Sequence, residues 1–557
     1  MGRRRVPALV AALVVALAIS ASPAAAALQQ PQAFDLLIVN GRIVDGTGNA
    51  WFYGDVAIAG DRIARITPPG GLTGASTTET IDAAGMVVAP GFIDIQSHSR
   101  SQFLTGDGRV VSKITQGITT EIMGEGTTNA PGADFRGPRA FDAWLRAMQE
   151  HGASPNFGSF LGATSVRRWV KGETQGAPDL AELDQMRAIV RNGMEDGAFG
   201  IASALVYPPG NFATTEELIA MAAAMAPYGG VYITHMRSEA DMLLEAIDEA
   251  IRIGREGGVP VEIYHLKAAG RRNWHKASEA IAAIDAARAA GLDVGADMYP
   301  YTAGSTGLAA CLPPSASADG KLLDNLADPA ARAAIRDEIL DQKTEWENFC
   351  QLAGPDGVLV LRFRQEANRQ YAGMYLGEIA AAMGKEWVDA LLDLILSEEG
   401  GDPGTIYFLM SEENVALQLA QPWMKFGTDA GGADPERSGA LTHPRAYGTF
   451  PRILGKYVRE ESVLSLEDAV RKMTSAVANR LSIRDRGLLR EGLFADIVVF
   501  DPQTVGDLAT YEQPHQVSVG VHWVLVNGTV VVREGVHTGA LPGRIVRGPG
   551  YSGDVVR

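Results

Sequence analysis

The 557-residue chain carries 66 acidic against 49 basic side chains, a formal net charge of −17, with nine histidines and two cysteines. That acidic excess speaks against nucleic acid and anionic membrane surfaces as partners, and leaves a small-molecule substrate open. Cys311 and Cys350 cannot build a cysteine-rich zinc site, and neither stands in a metal-binding spacing.

The chain opens with "MGRRR", a basic run, then the apolar "VPALVAALVVALAIS", then small residues offering cleavage near Ala26 or Ala27. Residues 1–27 therefore read as a secretory signal peptide. The apolar run is short for a membrane span, and no later segment is apolar enough for one. No cysteine marks the cleavage site for lipid attachment, and the residues expected after a twin-arginine pair are missing. The mature chain, about 530 residues, is expected to be exported to the periplasm or beyond. Export permits a disulfide between Cys311 and Cys350. Length alone would suggest several domains, but a barrel with insertions reduces the expectation to two.

After the leader, "FDLLIVNGRIVDGTGNAWFYGDVAIAGDRIARI" alternates apolar residues with turn signals at Asn40-Gly41, Gly46 and Gly60-Asp61. This predicts short antiparallel strands. Near the other end "VHWVLVNGTVVVREGVHTG" does the same, and "LVNGTVVVREG" echoes "IVNGRIVDG". The two ends, 28–88 and 482–557, are therefore expected to form one small β domain, a sandwich, around a central domain spanning 89–481.

Within 89–481, short apolar runs alternate with Ala-rich amphipathic segments, the signature of a parallel sheet built by strand–helix repeats. The strand candidates are "VVAPGFIDIQSH", "TTEIMGE", "NFGSFLG", "AFGIASALVY", "GVYITHM", "PVEIYHLK", "LDVGADMY" and "WMKFGTDA". Eight is the number that closes a (β/α)8 barrel of the TIM-like kind. A long stretch from about 303 to 420 separates the last two; it reads as an insertion over about 303–372 followed by an ordinary barrel helix. Lying at the C-terminal end of strand seven, such an insertion sits over the active site.

Chemistry-bearing residues gather at these strand ends. His98 ends strand one, Glu125 strand two, His235 strand five, His265 strand six and Asp429 strand eight. A ring of imidazoles and carboxylates at one barrel mouth holds zinc with a position open for water. A first strand of this kind usually ends in His-x-His; "GFIDIQSHSR" has Gln96 in the first place and keeps only His98.

At this point the chain resembles the amidohydrolase superfamily, and within it the D-aminoacylase (N-acyl-D-amino-acid deacylase) family. The ordered motifs "VVAPGFID", "ITTEIMGEG", "YITHMRSE", "IYHLKAAG", "DMYPYTAGST", "FGTDA", "LTHPRAYGTFPRILGKYVRE", "MTSAVANRLSIRDRGLLREGLFADIVVFD" and "VNGTVVVREGVHTGALPGR" carry it over nearly the whole mature chain. The resemblance implies a metal-dependent hydrolase barrel with a small β-sandwich domain. It implies one tight zinc on His235, His265 and a strand-two ligand. That ligand is cysteine in the relatives; here Glu125 takes the place. A second metal position would need His98, Gln96 and Asp429, and glutamine is a poor zinc ligand, so this position is expected to be weak or empty. Asp429 is expected to be the general base and acid of amide hydrolysis.

The resemblance also places Lys267, Tyr299, Ser305 and Arg445 on the carboxylate of an N-acyl-D-amino acid. Tyr207, in "ALVYPPG", is separately expected to line the acyl or side-chain pocket. His443 is expected to support its loop. Relatives often carry Gly-His-Gly on strand three, where this chain has Ala163 in "LGATSVRR". Two other readings stand beside the deacylase. One is another C–N hydrolase, a dipeptidase or a cyclic-amide hydrolase; the latter often needs a lysine on strand four, and "IASALVY" has none. The other is a non-catalytic extracellular binding protein. The sequence leaves open the preferred side chain (neutral is favoured by the want of an extra cation), the acyl length, the metal count and the oligomeric state.

Overall fold

The computed structural model describes residues 1–2, 33–342, 344 and 346–553; the expected signal peptide lies outside these residues save for its first two. The described chain starts with β1 (Ala33–Ile43), β2 (Phe52–Ala59), β3 (Arg62–Thr67), β4 (Ser76–Asp82) and β5 (Val87–Pro90). Asn40 sits at φ 61°, beside a register shift between Ile38 and Gly41, so the Asn-Gly pair makes a bulge within β1 rather than a turn between strands. β1 runs antiparallel to β2, and parallel to β4 along its first half and to β5 at its end.

The chain then enters the barrel with β6 (Phe92–Asp94), β7 (Ile118–Met123), β8 (Asn156–Ser159), β9 (Leu161–Gly162), β10 (Gly200–Ala204), β11 (Val231–His235), β12 (Val261–Ile263) and β13 (Val294–Met298). β8 and β9 flank Phe160 and together make the third barrel strand. Every residue of these strands is buried, as a parallel sheet covered by helices requires.

The excursion after β13 holds β14 (Ala303–Gly307), β15 (Val358–Val360), β16 (Met374–Tyr375) and β17 (Gly404–Phe408) in a separate sheet of order β14-β17-β15-β16. It therefore runs to Phe408, well past the expected end at 372. Helices Leu376–Met383 and Trp387–Ser397 look like barrel helices in sequence, but Ile379, Leu391 and Ile395 pack with Leu308, Ile335 and Tyr407 in the excursion's own core. The barrel helix begins only at Glu412. Cys311 and Cys350, 39 residues apart, are joined by a disulfide inside this core. A loop of that length is worth about 2–4 kcal/mol through the unfolded state. Cys311→Ser with Cys350→Ser is thus expected to leave the barrel folded and to open the 303–408 segment to limited proteolysis.

β18 (Met424–Phe426) pairs parallel with β13 and completes the barrel. The seam between β18 and β6 closes just beyond the strands: the Asp429 amide donates to the Gln96 carbonyl at 2.8 Å and the His98 amide to the Ala430 carbonyl at 3.1 Å. Beneath it a fully buried Lys113 ammonium donates to Asp94 at 2.7 Å, and Asp94 also accepts from the Thr428 hydroxyl at 2.6 Å and its amide at 2.9 Å. Losing one partner of such a buried pair costs about 3–5 kcal/mol, so this seam fixes the loops that carry Gln96, His98 and Asp429.

The chain ends in β19 (Ile497–Phe500), β20 (Val521–Val526), β21 (Thr529–Arg533) and β22 (Val536–His537). β19 pairs antiparallel with β5, joining both chain ends in one nine-stranded sheet. Leu525 on β20 shares one buried core with Ile38, Val56, Ile58 and Ile63 from β1, β2 and β3, which is consistent with the expected sandwich. The last described stretch leaves this domain. The Ile545 bridge to Phe157 and the bond from the Gly548 amide to the Gly197 carbonyl at 2.8 Å lay it across the N-terminal ends of β8 and β10.

Candidate active site

The C-terminal barrel mouth and the excursion enclose a cavity of about 380 Å³. It is lined by every sequence-predicted site residue: His98, Glu125, Tyr207, His235, His265, Lys267, Tyr299, Ser305, Asp429 and Arg445. Glu125, two residues past the end of β7, stands at the centre. Its Oε1 lies 3.1 Å from His235 Nδ1 and 3.4 Å from His265 Nε2. Its Oε2 accepts from the Gln96 amide at 2.5 Å and lies 3.3 Å from His98 Nε2. Burial opposes its charge, but hydrogen bonds from His235, His265 and His98 hold its carboxyl well below the usual carboxylate range.

Glu125, His235 and His265 bring three ligand atoms within 4.8 Å of one another, and His98, Glu125 and Asp429 form a second such group. The first group fits a zinc ion. Its donors are two imidazole nitrogens and a carboxylate, and His265 Nδ1 lies 2.8 Å from Glu239 Oε1. Lys267 Nζ lies 2.7 Å from the same Nδ1. Where Glu239 accepts from Nδ1, Nε2 would offer its lone pair to the metal in place of its hydrogen bond to Glu125, the arrangement in which a carboxylate orients a metal-binding histidine. The second group fits less well. Gln96 offers its NH2 to Glu125 rather than its oxygen to the group, and that oxygen is buried with no hydrogen bond.

Asp429 faces the first group from across the mouth. Oδ1 lies 2.8 Å from His98 Nε2 and Oδ2 lies 2.7 Å from Arg445 Nη1. Burial opposes its ionisation, but the Arg445 charge keeps its carboxyl below the usual range, so it is available as a base. Asp429 and His265 both hold left-handed backbone, φ 49° and φ 33°. Such conformations cost about 1–3 kcal/mol each and persist where the surroundings hold them. The strand-seam bonds hold Asp429, and Asp297 on β13 holds His265 by accepting its amide at 3.0 Å.

The expected carboxylate binders surround Tyr299. Arg445 stacks over its ring at 4.6 Å and Lys267 stands 5.8 Å from the ring centre. Two details qualify the sequence reading. Lys267 donates to Glu239 at 2.6 Å, so its charge is partly spent inside the protein. The Ser305 hydroxyl donates to the Thr405 carbonyl at 2.9 Å, so a ligand carboxylate would have to draw its proton away. His443 has the supporting role expected: Nε2 donates to the Ala303 carbonyl at 2.9 Å and Nδ1 accepts the Arg445 amide at 3.0 Å. Tyr207 packs edge-on against His235, ring centres 5.4 Å apart. Ala163 does not line the cavity; its neighbour Thr164 does.

Sequence reasoning missed two charged lining residues. Glu239, four residues after His235, ties His265 and Lys267 together; it stands in the quoted "YITHMRSE", where its spacing from His235 was the available signal. Arg100, two residues after His98, brings a cation to the opposite wall.

Comparison with known proteins agrees with this geometry. Models of the amidohydrolase family match residues 87–302 and 417–532. The chain is 36% identical over 530 residues to a D-aminoacylase of Alcaligenes xylosoxydans xylosoxydans, covering 92% of this chain and 98% of the relative. It is 33% identical over 528 residues to an N-acyl-D-glutamate deacylase of the same organism, covering 92% of this chain and 96% of the relative. A solved N-acyl-D-glutamate deacylase from Bordetella bronchiseptica, complexed with zinc and a phosphonate inhibitor, superposes with a TM-score of 0.77 at 30% identity, covering 93% of this chain and all of that one. The chain belongs to the amidohydrolase family, in its D-aminoacylase branch.

Proposed function

We propose that this protein is an exported, zinc-dependent deacylase that hydrolyses N-acyl-D-amino acids to a carboxylate and a free D-amino acid. The observation that carries the reading is Asp429, held between His98 and Arg445 and facing the Glu125–His235–His265 group across one cavity. The relatives named as D-aminoacylase and N-acyl-D-glutamate deacylase support the substrate class and the D configuration. The leader-like first 27 residues support export. β10, Gly200–Ala204, carries no lysine, which speaks against the cyclic-amide reading.

Glu125, His235 and His265 would hold the zinc. When bound, it supplies Lewis acidity, polarising the amide carbonyl and making water a better nucleophile at neutral pH. Asp429 takes the proton from the attacking water and returns it to the departing nitrogen, because an amide nitrogen leaves poorly unless protonated. Arg445 and Tyr299 bind the α-carboxylate and set the amide between Asp429 and Glu125. Phe349 and Tyr407 from the excursion, and Leu409 just after it, wall the same cavity, so neutral, apolar side chains are favoured. One tight zinc is proposed, since Gln96 engages the Glu125 oxygen that a second ion would share.

Amine release from paired N-acetyl-D- and N-acetyl-L-amino acids, before and after chelation, tests the reading. Turnover confined to D substrates, lost on chelation and restored by about one zinc per chain, is expected; no turnover with zinc bound would overturn it. Arg445→Lys keeps the charge but loses the fork. It is expected to raise KM for N-acetyl-D-leucine by about 10-fold or more, the size of one charge-assisted hydrogen bond, as read from steady-state rates.

A further inference from the structure

Arg100 follows the strand-one loop and lines the active-site cavity beside His98. One guanidinium nitrogen donates to the Thr127 carbonyl at 2.8 Å and the Thr127 hydroxyl at 2.9 Å. These neutral oxygens orient the group without neutralising it. Among the described residues no carboxylate lies in ion-pair range of it, whereas Lys267 and Arg445 are paired with Glu239 and Asp429. Burial alone lowers its pKa, with no acidic neighbour to offset the cost. In a chain with 66 acidic residues, a half-buried cation left without an acid faces a cavity that supplies the counter-charge from outside.

Its position says which part of a substrate that is. The α-carboxylate binders come from strands six and seven and the loop after strand eight, clustered on the Tyr299 ring. Arg100 is tied to Thr127, beyond strand two, and shares its wall with Thr164, beyond strand three. Strands two and three lie across the barrel from six and seven. With the scissile amide between Asp429 and Glu125, the amino-acid part lies toward Tyr299 and the acyl part toward Arg100.

We infer that Arg100 receives an anionic group at the far end of the acyl moiety, so that the preferred substrates are half-amides of short dicarboxylic acids with neutral D-amino acids. This rests on the deacylase reading above. Water adds to the amide carbon, the C–N bond breaks, and the nitrogen takes the proton, giving a free dicarboxylate and the D-amino acid.

The test measures kcat/KM of the zinc-loaded enzyme on N-acetyl-, N-malonyl-, N-succinyl- and N-glutaryl-D-leucine. N-succinamoyl-D-leucine serves as the uncharged isostere, and N-acetyl-D-aspartate and -glutamate as substrates with the anion on the side chain. The expected result is at least one dicarboxylic half-amide favoured over acetyl and over the isostere by about 10-fold or more, as one charge-assisted contact provides. In Arg100→Gln that ratio should collapse toward one, and Arg100→Lys should restore part of it. A ratio near one in the unmodified enzyme, a ratio insensitive to Arg100→Gln, or an Arg100-dependent preference for the acidic side chains would each overturn the assignment. Turnover of N-acetyl-D-leucine in the same assay shows that the deacylase reading stands while this inference falls; no turnover on any substrate would mean that the reading itself has failed.

Discussion

Asp429→Asn is expected to lower kcat by about 10²–10⁴-fold, the range supplied by a positioned general acid–base. The substitution keeps shape and one acceptor oxygen, so the contact to His98 at 2.8 Å can survive. It removes the carboxylate proposed to take the proton from water and return it to the leaving nitrogen. Because Asp429 is not in the Glu125–His235–His265 group, zinc content should stay near that of the parent protein. The informative measurement is therefore paired: metal analysis and steady-state rates on the same preparation. Loss of turnover with zinc retained supports the acid–base role. Loss of zinc together with turnover would make Asp429 a ligand instead, and a fall of less than about 10-fold would remove it from the chemistry. Arg445 loses its anionic partner in this variant, so a fold check by circular dichroism belongs with the assay.

Glu125→Ala should cost the metal itself. It removes the atom against which His235 Nδ1 and His265 Nε2 converge, at 3.1 and 3.4 Å, and leaves two imidazoles as the only protein donors of that group. Zinc after dialysis should fall from about one per chain to near zero, with activity lost in proportion. Glu125→Cys is the sharper variant. A thiolate is a good zinc ligand, so it should retain zinc and turnover within about 10-fold in reducing buffer. It should also become sensitive to peroxide, which the carboxylate is not. A cysteine variant that binds no zinc would show that the site needs the second oxygen, the one held by Gln96 and His98.

Much of this was legible in the sequence because the barrel repeats a simple unit. Each of the eight strands is an apolar run, and five of them stop at a chemistry-bearing residue: His98, Glu125, His235, His265 and Asp429 were readable from that punctuation. What lay outside the unit was harder. The end of the excursion depends on β17 pairing with β14 about a hundred residues earlier, a non-local match that no local pattern announces. Glu239 sits in a loop and Arg100 opens a five-residue helix, too short for periodicity to give a facing direction. The bulge at Asn40 was read as a turn because Asn-Gly favours both, and the partners of β1 decide between them.

The pairing of β5 with β19 has a consequence for how the chain is made. Val87–Pro90 leaves the ribosome early, and its partner Ile497–Phe500 follows about 400 residues later. At about 5–20 residues per second that is a wait of roughly 20–80 s. Through that interval an apolar strand, buried in the finished protein, has one edge without its native neighbour. The small domain is thus the first to be started and the last to be finished, and protection of that edge during synthesis becomes a requirement for yield, independent of how stable the completed fold is.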